Sequence, residues 1–354
     1  MRIWNAFVRS SLALTCCALF ALPAAAADAG DEYVLSWTSL HMGTVISSKV
    51  YGRTAEDAKR YAALVEAEVE RFDKMMSVHE ATPLNEVNRR AGEKVEVTPE
   101  IAEMTLRAVE ATKLSGGAFD PTIGPVVNVW KIGFGGDEVP SDDAIAAAVA
   151  KVDVSRVRVT EEKGRHYVQI DPGQFLDMGG IAKGYIGEKI AEELRAAGAP
   201  RALLDLGGNV VALNGKTADS PWRVGLQRPD TDRGAYFAVV EATDESVITS
   251  GAYERYLEKD GKRYGHILDP KTGKPALTDI SSVTIVDHDG AMADALCTAI
   301  FAMGWEKGTA FLKAHPEVHA VLLHADLKRA ALSASLAKRV RLTDDSIRTE
   351  VLGE

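Results

Sequence analysis

The succession of apolar and polar positions divides the chain into short elements. Residues 33–50 read as strands, with Met42-Gly43-Thr44 at a turn. A long helix follows, capped by the Thr54 and Asp57 pattern, with Tyr61, Leu64, Val65, Val69, Phe72 and Met76 as its buried stripe. Residues 77–88 are irregular and polar. Residues 94–97 form a short strand, and Thr98-Pro99 supplies a cap and first position for a helix that ends near Lys113. The stretch 117–125 holds two prolines and an aspartate between apolar residues, which predicts an ordered loop running on to the glycine-rich 133–136. Residues 142–150 predict a short helix, and 156–160 with 167–170 a hairpin.

The middle of the chain carries the most informative pattern. An Asp171-Pro172-Gly173 turn leads into Leu176-Asp177-Met178-Gly179-Gly180-Ile181-Ala182-Lys183-Gly184-Tyr185, after which Ile186, Ile190 and Leu194 recur at helical spacing. Beyond that helix, 202–206 and 210–213 flank the turn Gly207-Gly208-Asn209. Further strands are expected at 222–226, 236–241, 246–249, 263–268 and 282–286. Helices follow at 291–303 and 307–314, then a last core strand at 319–324. Nothing repeats at a fixed period. Strands outnumber helices without alternating with them, so a mixed or antiparallel α+β fold is expected rather than a doubly wound α/β one.

Composition changes this picture at the N-terminus. Arg2 and Arg9, the apolar run 11–22 and Ala24-Ala25-Ala26-Ala27 have the form of a cleaved secretory signal over 1–27. The apolar run is too short to span a membrane. Cys16 and Cys17 lack the small residues that precede a lipidated cysteine, so no lipid anchor is expected. Residues 28–354 then form one catalytic unit, of a single domain or two closely packed lobes, and a periplasmic location follows. Only Cys297 remains, so stability cannot rest on an internal disulfide. Without the signal, 39 basic residues face 51 acidic ones, a net charge of −12. That balance speaks against nucleic acid and against an anionic membrane surface.

Three places could carry chemistry. In the central segment a carboxylate, glycines and Lys183 sit where a turn feeds a helix N-terminus, which suits an anion such as phosphate; the alternative is a plain glycine turn opening a surface helix. The segment is neither a P-loop nor a Rossmann fingerprint. His266-Ile267-Leu268-Asp269-Pro270-Lys271-Thr272-Gly273 places a histidine at a strand terminus, where it could act as a general base, partner a phosphate or be structural. Asp294 and Thr298 share one face of an otherwise apolar helix. A buried acid there calls for a hard cation such as magnesium, or else it is an N-cap. Ser250, in Thr249-Ser250-Gly251, is a candidate polar contact. Cys297 reads as a small core residue, with nothing nearby in sequence to activate a thiolate.

Taken in order, Met42-Gly43-Thr44, Gly117-Ala118-Phe119-Asp120-Pro121-Thr122, Asp177 through Tyr185, Asp205-Leu206-Gly207-Gly208-Asn209, Ser250-Gly251, His266 through Gly273 and Ala293-Asp294-Ala295-Leu296 resemble the ApbE-type FAD:protein FMN transferase family. The resemblance runs from about Met42 to Gly304. It implies a T-fold-related α+β architecture and transfer of the FMN half of FAD to a Thr or Ser hydroxyl of an exported acceptor in a membrane redox complex, with AMP released. It also implies FAD contacts from Met42, Ala118, Phe119, Asp120, Asp177, Lys183 and Ile267, and Mg2+ on the backbone oxygen of Gly180, the Asp294 carboxylate and the Thr298 hydroxyl. His266 would be the catalytic histidine. His79 stands where the family often has an aromatic flavin neighbour, and Cys297 where a small hydroxyl residue is usual. Two other functions fit the same residues: a metal-dependent FAD pyrophosphatase giving FMN and AMP, and an FAD-binding protein without transfer.

Overall fold

A computed structural model describes residues 32–77, 81–231, 234–251 and 256–353. The signal segment and His79 lie outside the described residues. The chain opens with a hairpin, β1 (Tyr33–His41) and β2 (Thr44–Gly52), whose turn puts Met42 and Gly43 at positive φ. Helix α1 (Ala55–Met76) follows, with the Thr54 hydroxyl accepting the Asp57 N–H. Its Tyr61, Val65, Val69, Phe72 and Met76 are buried, while Leu64, expected in the same stripe, is only half-buried against that core. Next come α2 (Pro83–Arg89), β3 (Val95–Val97), α3 (Pro99–Leu114), α4 (Gly124–Trp130) and α5 (Asp142–Val149). Strands β4 (Arg158–Glu162) and β5 (Arg165–Gln169) precede α6 (Ala182–Ala196). Then follow β6 (Arg201–Leu206), β7 (Asn209–Leu213), β8 (Trp222–Gln227), β9 (Tyr236–Ala242), β10 (Glu245–Gly251), β11 (Tyr256–Lys259), β12 (Lys262–Gly265) and β13 (Ile280–Asp287). Helix α7 (Gly290–Ala314), β14 (Ala320–His324), β15 (Arg329–Ser333), β16 (Val340–Leu342) and β17 (Arg348–Leu352) complete the chain.

Among the described residues the central sheet has nine strands in the order β1-β2-β6-β7-β10-β13-β14-β15-β17. All neighbours are antiparallel except β15 and β17. Period-two burial sends alternate side chains to two cores. Ile248 joins Ala293, Leu296 and Cys297 of α7 on one face, while Val247 joins Trp222, Leu226 and Phe237 of the small sheet β16-β9-β8 on the other. Helices α1 and α6 extend the first layer through Val69, Phe72, Tyr185 and Ile186. This is the α+β arrangement expected from the sequence.

Four local expectations need correction. The irregular 77–88 contains α2, because the Thr82 hydroxyl accepts the Asn85 N–H and Pro83 occupies the first turn, where its missing N–H is harmless. The loop expected over 117–136 holds α4, with Pro125 likewise in its first turn. The strand that leads to His266 ends at Gly265, so the histidine lies just past β12 instead of on a strand terminus. Finally, 319–324 is not the last strand. β15 and β17 extend the sheet beyond it, and β16 joins the small sheet. No helix among the described residues is long and apolar enough to cross a membrane.

Candidate active site

The site is built around the way α6 begins. Ile181 precedes the helix and contributes no side-chain cap. Ile181 and Ala182 donate their N–H groups to Met178 O at 3.0 and 2.8 Å. The Gly184 N–H instead donates to Asp294 Oδ2 at 2.9 Å, so a carboxylate from α7 closes the first turn of α6 with the sign its dipole favours. Asp294 is not the cap of its own helix, as the alternative reading had it. That cap is Asp289, whose Oδ1 accepts the Met292 N–H at 2.7 Å. Burial raises the Asp294 carboxyl above the ordinary aspartate range, opposed by the charge of Lys183 and by the Gly184 N–H.

Thr298 stands one turn along α7, with its hydroxyl directed to Asp294 O at 3.3 Å. Gly180 abuts it: a Cβ on Gly180 would lie 3.1 Å from Thr298 Oγ1 and 3.1 Å from Phe119 Cε2. A carboxylate, a hydroxyl and a glycine backbone therefore share one spot beside Lys183. Among the described residues no three His, Cys, Asp or Glu side chains converge as metal ligands. The oxygen-only set suits magnesium, which takes one or two carboxylates and draws further oxygens from substrate phosphates. It does not suit zinc, which prefers imidazole and thiolate. Cys297 points away, its Sγ toward Ile248 O at 3.2 Å, and burial pushes its thiol well up. It is a core residue.

The remaining candidates lie on several separate elements. Asp177 anchors the approach to α6, donating its N–H to Pro121 O at 2.8 Å and accepting the Gly179 N–H at 2.8 Å. The Ala118-Phe119-Asp120 loop follows α3. Phe119 is buried, and Asp120 accepts both the N–H (2.8 Å) and the hydroxyl (2.6 Å) of Thr122. Burial raises the Asp120 carboxyl, and the Thr122 bonds oppose it. Met42 tips the β1–β2 hairpin and donates its N–H to Asp73 Oδ2 at 3.3 Å. Ser250 lies on β10, on the α7 side of the sheet next to Cys297. His266 is half-buried and has a partner within the fold. Ile267 belongs to the apolar cluster of Leu296 and Cys297, and its carbonyl accepts the Ala276 N–H at 2.9 Å. The loop after it reaches back over the Ala118 segment, where a Cβ on Gly117 would meet Lys271 Cε at 3.7 Å.

A sequence model of the ApbE family matches residues 42–322. The chain belongs to the ApbE family. Similar proteins include the FAD:protein FMN transferase of Treponema pallidum, 38% identical over 87% of this chain and 89% of that protein. One from Klebsiella pneumoniae is 35% identical over 83% and 90%. Among solved structures, the ApbE protein of Thermotoga maritima superposes with a TM-score of 0.79 at 28% identity, covering 87% of this chain and 99% of that one. The apo flavinyl transferase ApbE of Pseudomonas stutzeri gives 0.72 at 29%, covering 84% and 93%.

Two further contacts of this ApbE-family chain have no counterpart in its local sequence pattern. Arg107 of α3 forms a two-pronged pair with Glu188 of α6 at 2.8 and 3.0 Å and also bonds Asp289, tying α6 to the start of α7. The contact spans residues far apart in sequence, and no local pattern announces it. Asn209 is buried against the Asp294 carboxyl. Its place after two glycines, within a motif that carries the family resemblance, gave it no role of its own.

Proposed function

We propose that this chain is a magnesium-dependent FAD:protein FMN transferase, moving the FMN half of FAD onto a Thr or Ser hydroxyl of an acceptor protein and releasing AMP. The observation that carries this reading is the seat of Asp294 under the first turn of α6, beside Thr298, Gly180 and Lys183. Relatives named FAD:protein FMN transferase support the reaction class.

Breaking the phosphoanhydride of FAD requires charge balance on the phosphates and a hydroxyl held in line. Lys183 and the N-terminal turn of α6 offer positive potential to the pyrophosphate. A divalent cation held by Asp294, Thr298 and the Gly180 carbonyl supplies further neutralisation when bound. His266 takes the proton of the acceptor hydroxyl as its oxygen bonds to the FMN phosphorus and the bond from that phosphorus to the bridging oxygen breaks, leaving that oxygen on AMP. Met42, Asp177, the 118–120 loop, Ser250 and Ile267 line the approach of the flavin and its phosphates. The signal-like residues 1–27 support a periplasmic site of action, and the family resemblance supports an exported acceptor belonging to a membrane redox complex.

The test mixes the protein, FAD and Mg2+ with and without an exported acceptor bearing a Thr-containing flavinylation motif. AMP release and flavin fluorescence on the denatured acceptor are followed. Fluorescence on the acceptor that EDTA abolishes is the expected result. AMP and free FMN without acceptor would replace the transferase by a pyrophosphatase, and FAD binding with neither product would leave a binding protein.

A further inference from the structure

Asn209 presents an anomaly. It is 1% exposed, yet neither its side-chain nitrogen nor its oxygen completes a well-aligned hydrogen bond among the described residues. Buried carboxamides are almost always bonded, because leaving one unpaired sacrifices its interactions with water for nothing. A leucine of similar shape would fill the same space without that penalty.

The surroundings fix where this amide faces. Asn209 opens β7 directly opposite Ile248 of β10, and cross-strand partners share a face. Ile248 packs with Ala293, Leu296 and Cys297, so Asn209 lies on the α7 side of the sheet. There its amide meets the Asp294 carboxyl. The preceding turn leaves it little freedom. Gly207 and Gly208 both have positive φ, Asp205 Oδ1 accepts the Gly208 N–H at 2.6 Å, and any side chain at Gly207 would collide with Thr44. Asp294 is thus approached from two sides, by the Gly184 N–H of α6 and by Asn209 of β7.

We propose that Asn209 is a positioning residue that orients the Asp294 carboxylate for a divalent cation, its amide bonding becoming complete only when the site is loaded. The inference rests on the reading of Asp294, Thr298 and Gly180 as a cation site. Such outer partners commonly set metal affinity by about 10- to 100-fold. A buried turn residue with no such role would leave affinity alone.

The experiment titrates Mn2+ as a paramagnetic probe into wild type, Asn209→Leu and Asn209→Ala, with saturating FAD and no acceptor. Melting temperatures are measured in EDTA. The expected result is that Asn209→Leu melts at or above the wild-type temperature without metal, yet binds Mn2+ at least tenfold more weakly. Asn209→Ala should lose the same affinity, and the isosteric leucine decides the matter if alanine folds poorly. Wild-type binding of Mn2+ with unchanged affinity in folded Asn209→Leu would overturn the role of Asn209 and leave the cation site standing. No Mn2+ binding by wild type would remove the cation site and this inference with it.

Discussion

Gly184 and Gly290 meet backbone to backbone where α6 crosses α7. A Cβ on Gly290 would lie 2.6 Å from Gly184 O, and a Cβ on Gly184 would lie 2.7 Å from the Asp294 Cβ and collide with Gly290 O. Two helices that touch this closely let the Asp294 side chain reach the Gly184 N–H.

Gly184→Ala must therefore separate the helices. We expect a loss of about 1–3 kcal/mol in urea unfolding, the usual range for overpacking, with a larger proportional loss of Mn2+ affinity. A variant with wild-type affinity would show that the crossing does not set the site.

His266→Gln should keep FAD affinity, measured by fluorescence quenching, while slowing single-turnover AMP release by about 100- to 10,000-fold, the range for losing a general base. Parallel losses of binding and rate would make the histidine a flavin contact instead.

Asp120 provides a pH test. Its folded carboxyl is raised by burial, so the folded state holds the proton more tightly than the unfolded chain. Its contribution to stability is full below the ordinary aspartate pKa and is lost as pH rises through the raised value. Asp120→Asn, which can still accept from Thr122, should flatten that decline in urea unfolding with EDTA present. An unchanged pH profile would place the effect elsewhere.

Cys297→Ser should retain transfer within a few-fold, and the folded wild type should resist iodoacetamide. The thiol is buried against Ile248 O, with its ionisation suppressed. Labelling under native conditions would contradict this account.

Much of the fold was legible because its signals are local. The Thr54 and Thr98 caps each precede a helix as expected. The glycine-rich approach to α6 stands out as a break in hydrophobic periodicity. Gly304, at φ 78°, breaks α7 into the two helical runs read from the sequence. What escaped was either short or long-range. α2 and α4 have seven residues each, too few to develop a periodic stripe. Strands β15 and β17 pair in parallel across an intervening segment, and no turn signal marks such a pair. At the site, Asp294 is legible because an acid interrupts an apolar helix. The roles of Asn209 and Arg107 are not, since they come from partners 85 and 81 residues away.

The oxygen set gathered at Asp294 is sparse: one carboxylate, one hydroxyl and the backbone at Gly180. On the proposed reading, so few protein oxygens would hold a hard cation weakly until phosphate oxygens joined them, and a pyrophosphate beside Lys183 and the start of α6 would lack its full counter-charge until the cation bound. Each would therefore raise the affinity for the other by the same factor, whichever bound first. Cation and dinucleotide would then bind as a cooperative pair, and scarcity of either would silence the protein as effectively as scarcity of both.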